Sequence, residues 1–396
     1  MKGQVVKTIA YISLIIFLYL VSYYLYNGIF IQKIPLEGDS IGWHIPIAKS
    51  VLNGSILNPH TTVLPQFYPG ASELILSLFM LVSLPLNAYN VLAWFLLFLG
   101  CFLLARTFGL EKYYSILFAI TVSTQNAILR WLNSQIIDIW LAVFFIFALI
   151  LLEKPKKELS YFIKVGFLLG MILGTKYPGI LLVLSLLIFY FKKIIKTVSF
   201  PRALVFLIPF SIFGLSWYIR NFLIFQNPFF PIGFYPFRGV HVFTSNVFLT
   251  SLNYPLQMLN AFIAEYKLWT FAVLGGGLFV FHLYRKKRTL FSDIQKLILL
   301  SLAAFITYPF SPASYQEWIM VSSIRYTYIT FTLLILAIFI YAAKINKQRF
   351  LAYFAVGNMI LLHPITYYPK LIFFYLPTAF IIFLILEKKI KFLRKD

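Results

Sequence analysis

Long apolar runs, broken by short charged or Pro/Gly-bearing segments, recur from one end of this 396-residue chain to the other. A helix needs about 20 such residues to cross a bilayer. On that pattern, spanning helices are predicted near residues 8–31, 88–105, 113–128, 137–152, 161–174, 178–191, 203–219, 268–284, 294–310, 325–343, 350–365 and 370–386, about twelve in all. The stretch 71–84 is apolar too, but it is short, lies between Pro69-Gly70 and Pro85, and carries Glu73. It is predicted as a helix on the outer surface or tucked against the bundle, not as a span. The run 161–191 is predicted to break at GTKYPG, because proline ends a helix and a bare Lys176 at mid-membrane is costly.

Charge then orients the chain. Lys2 and Lys7 place the N-terminus inside, and alternation puts Arg106 to Lys112, Lys154 to Lys157, Lys192 to Lys196, Arg285 to Arg288, Lys344 to Arg349 and Lys388 to Lys395 on that same face. Dense basic clusters on one side are what the positive-inside rule requires. Residues 32–86 become a long first outer loop with surface helices, and 221–267 a second, rich in proline and aromatics. The fold class is therefore an all-α polytopic membrane protein. With 61% hydrophobic residues and a mean hydropathy of +0.86, no stretch is polar and long enough for a separate soluble domain, so residues 1–396 form a single transmembrane domain. The first run is too long for a signal core and lacks a small-residue cleavage site, so it reads as a retained helix. The +22 charge belongs to the inner clusters and not to a soluble basic face, which argues against nucleic acid as a partner. Lone Cys101 excludes intrachain disulfides and thiolate metal clusters.

Only 12 acids stand against 34 basic residues, so each acid can be weighed singly. Glu111, Glu153, Glu158, Asp293, Glu387 and Asp396 lie among the inner clusters and read as solvated loop charges. Glu37, Asp39, Glu73, Asp138, Glu265 and Glu317 face outward. Asp138 opens a helix in LNSQIIDIW, where a carboxylate suits the helix N-terminus as well as it suits a site. Lys176, Arg220, Arg238, Lys267 and Arg325 stand singly at outer helix ends. They read either as snorkelling cations or as a phosphate site. Carboxylates and isolated cations on one rim suit group transfer from a lipid phosphate, the acid as base and the cations on the departing phosphate. No glycine-rich phosphate loop is present, and the five scattered histidines show no zinc spacing. His44, five residues after Asp39, reads first as a structural polar residue of the loop helix.

The stretches EGDSIGWHIPIAKSVLNGS and FYPGASEL, the helix opened by Gln135 to Asp138, GMILGTKYPG and WYIRNFLIFQNPFFP resemble, in that order over about residues 1–235, GT-C membrane glycosyltransferases. The nearest branch is the family 39-related one of bacterial protein O-mannosyltransferase and aminoarabinose transferase relatives. Ser323-Ile324-Arg325-Tyr326 is a further candidate match. The resemblance implies an inverting transfer of a hexose or pentose from a polyprenyl-phosphate carrier to a glycan, lipid or protein hydroxyl outside the plasma membrane. Asp39 takes the place of the catalytic base, with Glu37 as a neighbouring acid and Asp138 at the second acidic position. Lys176 and Arg220 match positions that would face the carrier phosphate. His44, Tyr68, Glu73, Gln135, Asn221, Arg325 and Tyr326 complete the candidate substrate contacts. No cofactor is implied with certainty. A divalent metal stays open, because the acids read Glu-Gly-Asp and not an adjacent pair. Two rival readings remain: a transporter or flippase of lipid-linked sugars or anions, and a non-catalytic membrane subunit. The first would favour internal repeats and mid-membrane polar sites, and the second would leave Asp39 dispensable.

Overall fold

The computed structural model describes residues 2–32, 34–57, 64–240, 246–275, 292–311, 317–345 and 347–360. In chain order its α-helices are α1 (Lys2–Tyr26), α2 (Ile45–Leu52), α3 (Ala71–Leu81), α4 (Tyr89–Thr107), α5 (Lys112–Ser123), α6 (Asn126–Leu129), α7 (Asp138–Glu153), α8 (Leu159–Thr175), α9 (Gly179–Ile195), α10 (Phe200–Phe210), α11 (Ser216–Phe225), α12 (Val247–Asn253) and α13 (Pro255–Tyr266). After them come α14, described over residues 268–275, and α15 (Ser292–Phe305), α16 (Glu317–Ser323), α17 (Tyr328–Lys344) and α18 (Gln348–Ile360). No strand occurs among the described residues beyond an isolated bridge between Phe234 and Phe237.

α1, α4, α5, α7 to α11, α15, α17 and α18 overlap predicted spans, whereas α2, α12, α13 and α16 are short helices outside them. Among the described residues, four continuous helical segments, Gln4–Ile31, Leu86–Thr107, Phe200–Phe225 and Ile319–Lys344, are long and apolar enough to cross a membrane. α7, α8 and α9, at 16, 17 and 17 residues, are shorter than the roughly 20 residues of a full span. The predicted span 370–386 and most of 268–284 lie outside the described residues, as do Arg285 to Arg288 and Lys388 to Lys395. α3 is an 11-residue helix, about 16 Å long. It buries Ala71, Ser72, Glu73, Leu76, Ser77 and Phe79 and exposes Leu78 and Leu81, as a helix tucked against the bundle should. The predicted break falls at Lys176 to Pro178, where extended Lys176 closes α8 and Pro178 precedes α9.

Two helices are apolar all round and form the core. α7 buries twelve of its sixteen residues, and α17 is buried along most of its length. A helix without a polar face belongs inside a bundle. α8 meets the Phe200–Phe225 segment through Gly166, Gly170 and Gly174, one per turn. A Cβ at Gly166 would sit 2.2 Å from the Phe206 carbonyl oxygen, and one at Gly174 would sit 1.9 Å from that of Phe213. Small residues at this spacing let two membrane helices touch backbone to backbone. Pro209 and a π-turn over Ser211–Leu215 interrupt the regular hydrogen-bond ladder of the partner helix along the same stripe.

α7 also links two ionic clusters, about 23 Å apart at 1.5 Å per residue. At its C-terminal end Glu153 binds Lys193 at 2.9 Å and also engages Lys296 and the Tyr190 hydroxyl. Glu153 is therefore not the solvated charge expected of it: its side chain is 11% exposed and ties together the basic ends of α7, α9 and α15. Glu111, Glu158 and Asp293 are exposed, as expected.

Gly174→Ala should destabilise the protein by about 1–3 kcal/mol, because neither backbone can yield to the new methyl. Gly357→Ala, whose Cβ meets nothing within 4 Å, should be neutral or stabilise by up to about 1 kcal/mol. Thermal unfolding in detergent checks both. Equal stability of the two variants would refute the close-contact stripe.

Candidate active site

The N-terminal end of α7 lies beside the start of α17, the end of α8 and the helix of the first outer loop. Asp138, first residue of α7, accepts from Lys176 Nζ at 2.8 Å. Arg325 sits on the 3₁₀ turn Ile324–Thr327 between α16 and α17. Its Nη2 donates to Asp39 Oδ2 at 2.6 Å, and its Nε lies 3.4 Å from Asp138 Oδ2. One buried guanidinium thus stands between the two carboxylates. Trp131 and Tyr326 flank it, each ring centroid 5.3 Å from Cζ, and the Lys176 ammonium lies 3.8 Å above the Tyr326 ring. Helix ends assist: an acid suits the start of α7 and a cation the end of α8.

Exposure separates the acids. The Asp39 side chain is 40% exposed and the Asp138 side chain 5%. Asp39 can meet an incoming group from outside, whereas Asp138 is an internal counter-charge. Burial by itself would raise the Asp39 pKa. The Arg325 charge and hydrogen bond, with His44 and Lys176 adding to them, outweigh it and hold the carboxyl below its usual range. Asp39 is therefore ionised at neutral pH. Its stabilising contact is complete above the ordinary carboxylate pKa of about 4 and is lost as pH falls through the lowered value.

Glu37 does not point into this cluster. Its carboxylate accepts from the backbone N–H of Asp39 at 2.9 Å, the N–H of Ser40 at 2.7 Å and the Ser40 hydroxyl at 2.8 Å. It caps the helical turn that carries Asp39. Ser40 Oγ in turn accepts from the Gln135 N–H at 2.9 Å, which joins the Asp39 helix to the loop before Asp138. Gln135, expected at substrate, is fully buried: its amide donates to Leu86 O at 3.0 Å and Asn87 Oδ1 at 2.8 Å. Asn221 likewise donates to Phe67 O at 2.7 Å and Phe230 O at 2.9 Å, fastening the two outer loops together. Arg220, expected at the phosphate, donates to Ile56 O at 3.0 Å and to Asn221 Oδ1 at 2.8 Å instead. These polar side chains answer backbone groups that the loop fold leaves unpaired.

His44 Nδ1 meets the buried Glu73 carboxylate at 2.7 Å, whose other oxygen accepts from Ser72 Oγ at 2.7 Å. Tyr68 lies against Trp43 and Tyr177, and burial, with Tyr326 adding, pushes its phenol up to about 12. Glu265 is no rim acid: it is buried on Arg130. Lys267 does not snorkel either. It is buried, its ammonium has no hydrogen-bond partner among the described residues, and burial brings it down to about 7 against the pull of Glu265. Arg238 is exposed, and the Glu317 side chain lies outside the described residues. Trp43, Arg130 and Trp131 are the contributors that the sequence does not single out. Arg130-Trp131 carried a signal, a lone cation beside an aromatic next to the LNSQIID segment.

Asp138, Lys176, Arg325 and Tyr326 line a small cavity whose walls also include Leu141, Leu182, Ala304 and Ile329 and the polar Thr307 and Tyr328. Two Arg325 donors, Nε and Nη1, have no hydrogen-bond acceptor among the described residues. A divalent ion shared by Asp39 and Asp138 does not fit this arrangement, because the Arg325 guanidinium already stands between them. Among the described residues no group of three His, Cys, Asp or Glu could hold a metal.

No family model matches the chain, and no curated protein matches it. Among solved structures it is similar to the apo crystal structure of the Archaeoglobus fulgidus oligosaccharyltransferase, at 14% identity and a TM-score of 0.47. That likeness covers 91% of this chain and 54% of the other, so the chain spans about half that protein's length. At such identity and score it adds no weight to the assignment of fold or activity, which rests on the residues themselves.

Glu37→Ala should cost about 1 kcal/mol of stability through loss of the cap, and Glu37→Gln, which keeps one acceptor oxygen, should cost less. Thermal unfolding measures both. An unchanged midpoint in the alanine variant would mean that the cap does not hold Asp39 in place.

Proposed function

We propose that this chain is an inverting glycosyltransferase that moves a sugar from a polyprenyl-phosphate carrier to an acceptor hydroxyl, glycan, lipid or protein, on the extracytoplasmic side of the membrane. The observation that carries this reading is the cluster itself. A half-exposed carboxylate, Asp39, shares one buried guanidinium with Asp138, and Lys176 completes the cations that line a small cavity of mixed polar and apolar walls. A lipid phosphate needs charged donors for its headgroup beside apolar side chains for its chain, and both meet at this cavity. The two Arg325 N–H groups without acceptors suit paired phosphate oxygens.

The chemistry follows from these roles. The acceptor hydroxyl gives its proton to an Asp39 oxygen. The freed oxygen pair bonds to the anomeric carbon from the face opposite the carrier. The bond from that carbon to the phosphate oxygen breaks, and its electrons stay on the phosphate. One displacement inverts the centre and needs one base and a stabilised leaving group, not a second carboxylate as nucleophile. Charge on the departing phosphate grows during bond breaking, so Arg325 and Lys176 bind the transition state better than the ground state. Asp138 takes no proton here: it keeps both cations aimed. Placement of the charges at helix ends favours chemistry at the membrane rim over a transport site at the midplane.

Incubation with a panel of polyprenyl-phosphate sugars should release polyprenyl phosphate and glycosylated acceptor. Asp39→Asn should lower that rate by about 10²–10⁴-fold, the range for a lost general base, while the protein still folds. Lys176→Ala should weaken donor binding, and Arg220→Ala should act through loop stability instead. Full activity in Asp39→Asn would remove the base, and unchanged donor affinity in Lys176→Ala would remove the phosphate site.

A further inference from the structure

Arg325 makes its one close hydrogen bond to the proposed base, not to the cavity. The 2.6 Å contact to Asp39 Oδ2 leaves Nε and Nη1 without acceptors, although the whole side chain is only 9% exposed. Buried guanidinium donors are rarely left unmet. The cavity that Arg325 lines has a volume of about 20 Å³, enough for about one water. A sugar phosphate cannot enter while the guanidinium stays where it is. Arg325 and Tyr326 both sit on the 3₁₀ turn between α16 and α17, and a 3₁₀ stretch within a helix is a frequent hinge.

We infer that Arg325 is a two-position latch: it closes on Asp39 when no donor is present and turns to the donor phosphate when one binds, so that Asp39 is free for the acceptor only in the donor-loaded enzyme. The inference rests on the lipid-phosphate donor of the preceding subsection and adds an order to it, donor before acceptor. The exchange is balanced in charge. Arg325 trades a carboxylate for a phosphate oxygen and stays beside Asp138, 3.4 Å away, so the buried cation is never left alone. Asp39 loses its strongest cationic neighbour and becomes a better proton acceptor when a sugar is in place to be transferred. His44 on its own helix and Lys176 at the end of α8 still face it.

The test is a pair of cryo-EM structures of the full chain in lipid nanodiscs, without ligand and with farnesyl phosphate as probe. The latch predicts that the Arg325–Asp39 distance opens from 2.6 Å to beyond about 3.5 Å, outside hydrogen-bond reach, with a phosphate oxygen on Arg325. Farnesyl phosphate bound at Lys176 with the Arg325–Asp39 bond intact overturns the latch and leaves the donor reading standing. Absence of the lipid from this cavity overturns both.

Discussion

A buried guanidinium cannot stand without anions, and Arg325 has two. Removing both would leave an uncompensated charge in a poorly solvated place, a loss of several kcal/mol. That requirement draws three distant parts of the chain to one point: the first outer loop with Asp39, the start of α7 with Asp138 and the turn before α17. Lys176 at the end of α8 balances the second carboxylate. The surrounding loops are arranged so that these four charges stay in place. Glu37 caps the Asp39 turn, Ser40 joins that turn to the Gln135 backbone, and Asn221 locks one outer loop to the other.

The asymmetry between the two acids gives the cluster its chemical direction. Asp39 is open to the outside and Asp138 is not. The same cation lowers the proton affinity of the first and is anchored by the second. Beside them lies a small cavity that also touches Leu141, Leu182, Ala304 and Ile329, so charged donors and apolar side chains meet at one place. The opposite pole of α7 carries the Glu153 knot with Lys193, Lys296 and Tyr190. Both poles of this core helix are thus fixed by charge, while its length is fixed by packing.

Much of this was legible in the sequence because charges are scarce there. Single acids and single cations at the ends of apolar runs carry meaning in a chain that is 12% charged, and Asp39, Asp138, Lys176 and Arg325 do meet. The helix break at Lys176 to Pro178 was legible from proline chemistry. What was not legible is which polar residues serve as struts. Gln135, Asn221 and Arg220 have side chains that suit a substrate as well as a backbone carbonyl, and only the path of the loops decides between them. Glu153 was hidden for a related reason: its position in a basic cluster looks solvated until α9 and α15 bring Lys193 and Lys296 onto it. The glycine stripe on α8 needed the partner helix to give it a purpose.

If the chain uses a lipid-phosphate donor, the phosphate and the first isoprene units of the carrier bind behind Arg325 and Lys176. A photoreactive farnesyl phosphate, with the label on the chain next to the phosphate, tests this directly. Mass spectrometry of the labelled full-length protein should find adducts on cavity-lining residues such as Leu182, Ala304 and Ile329, displaced by unlabelled farnesyl phosphate and not by farnesol. Adducts scattered over the outer faces of the bundle, or displaced equally by farnesol, would contradict it.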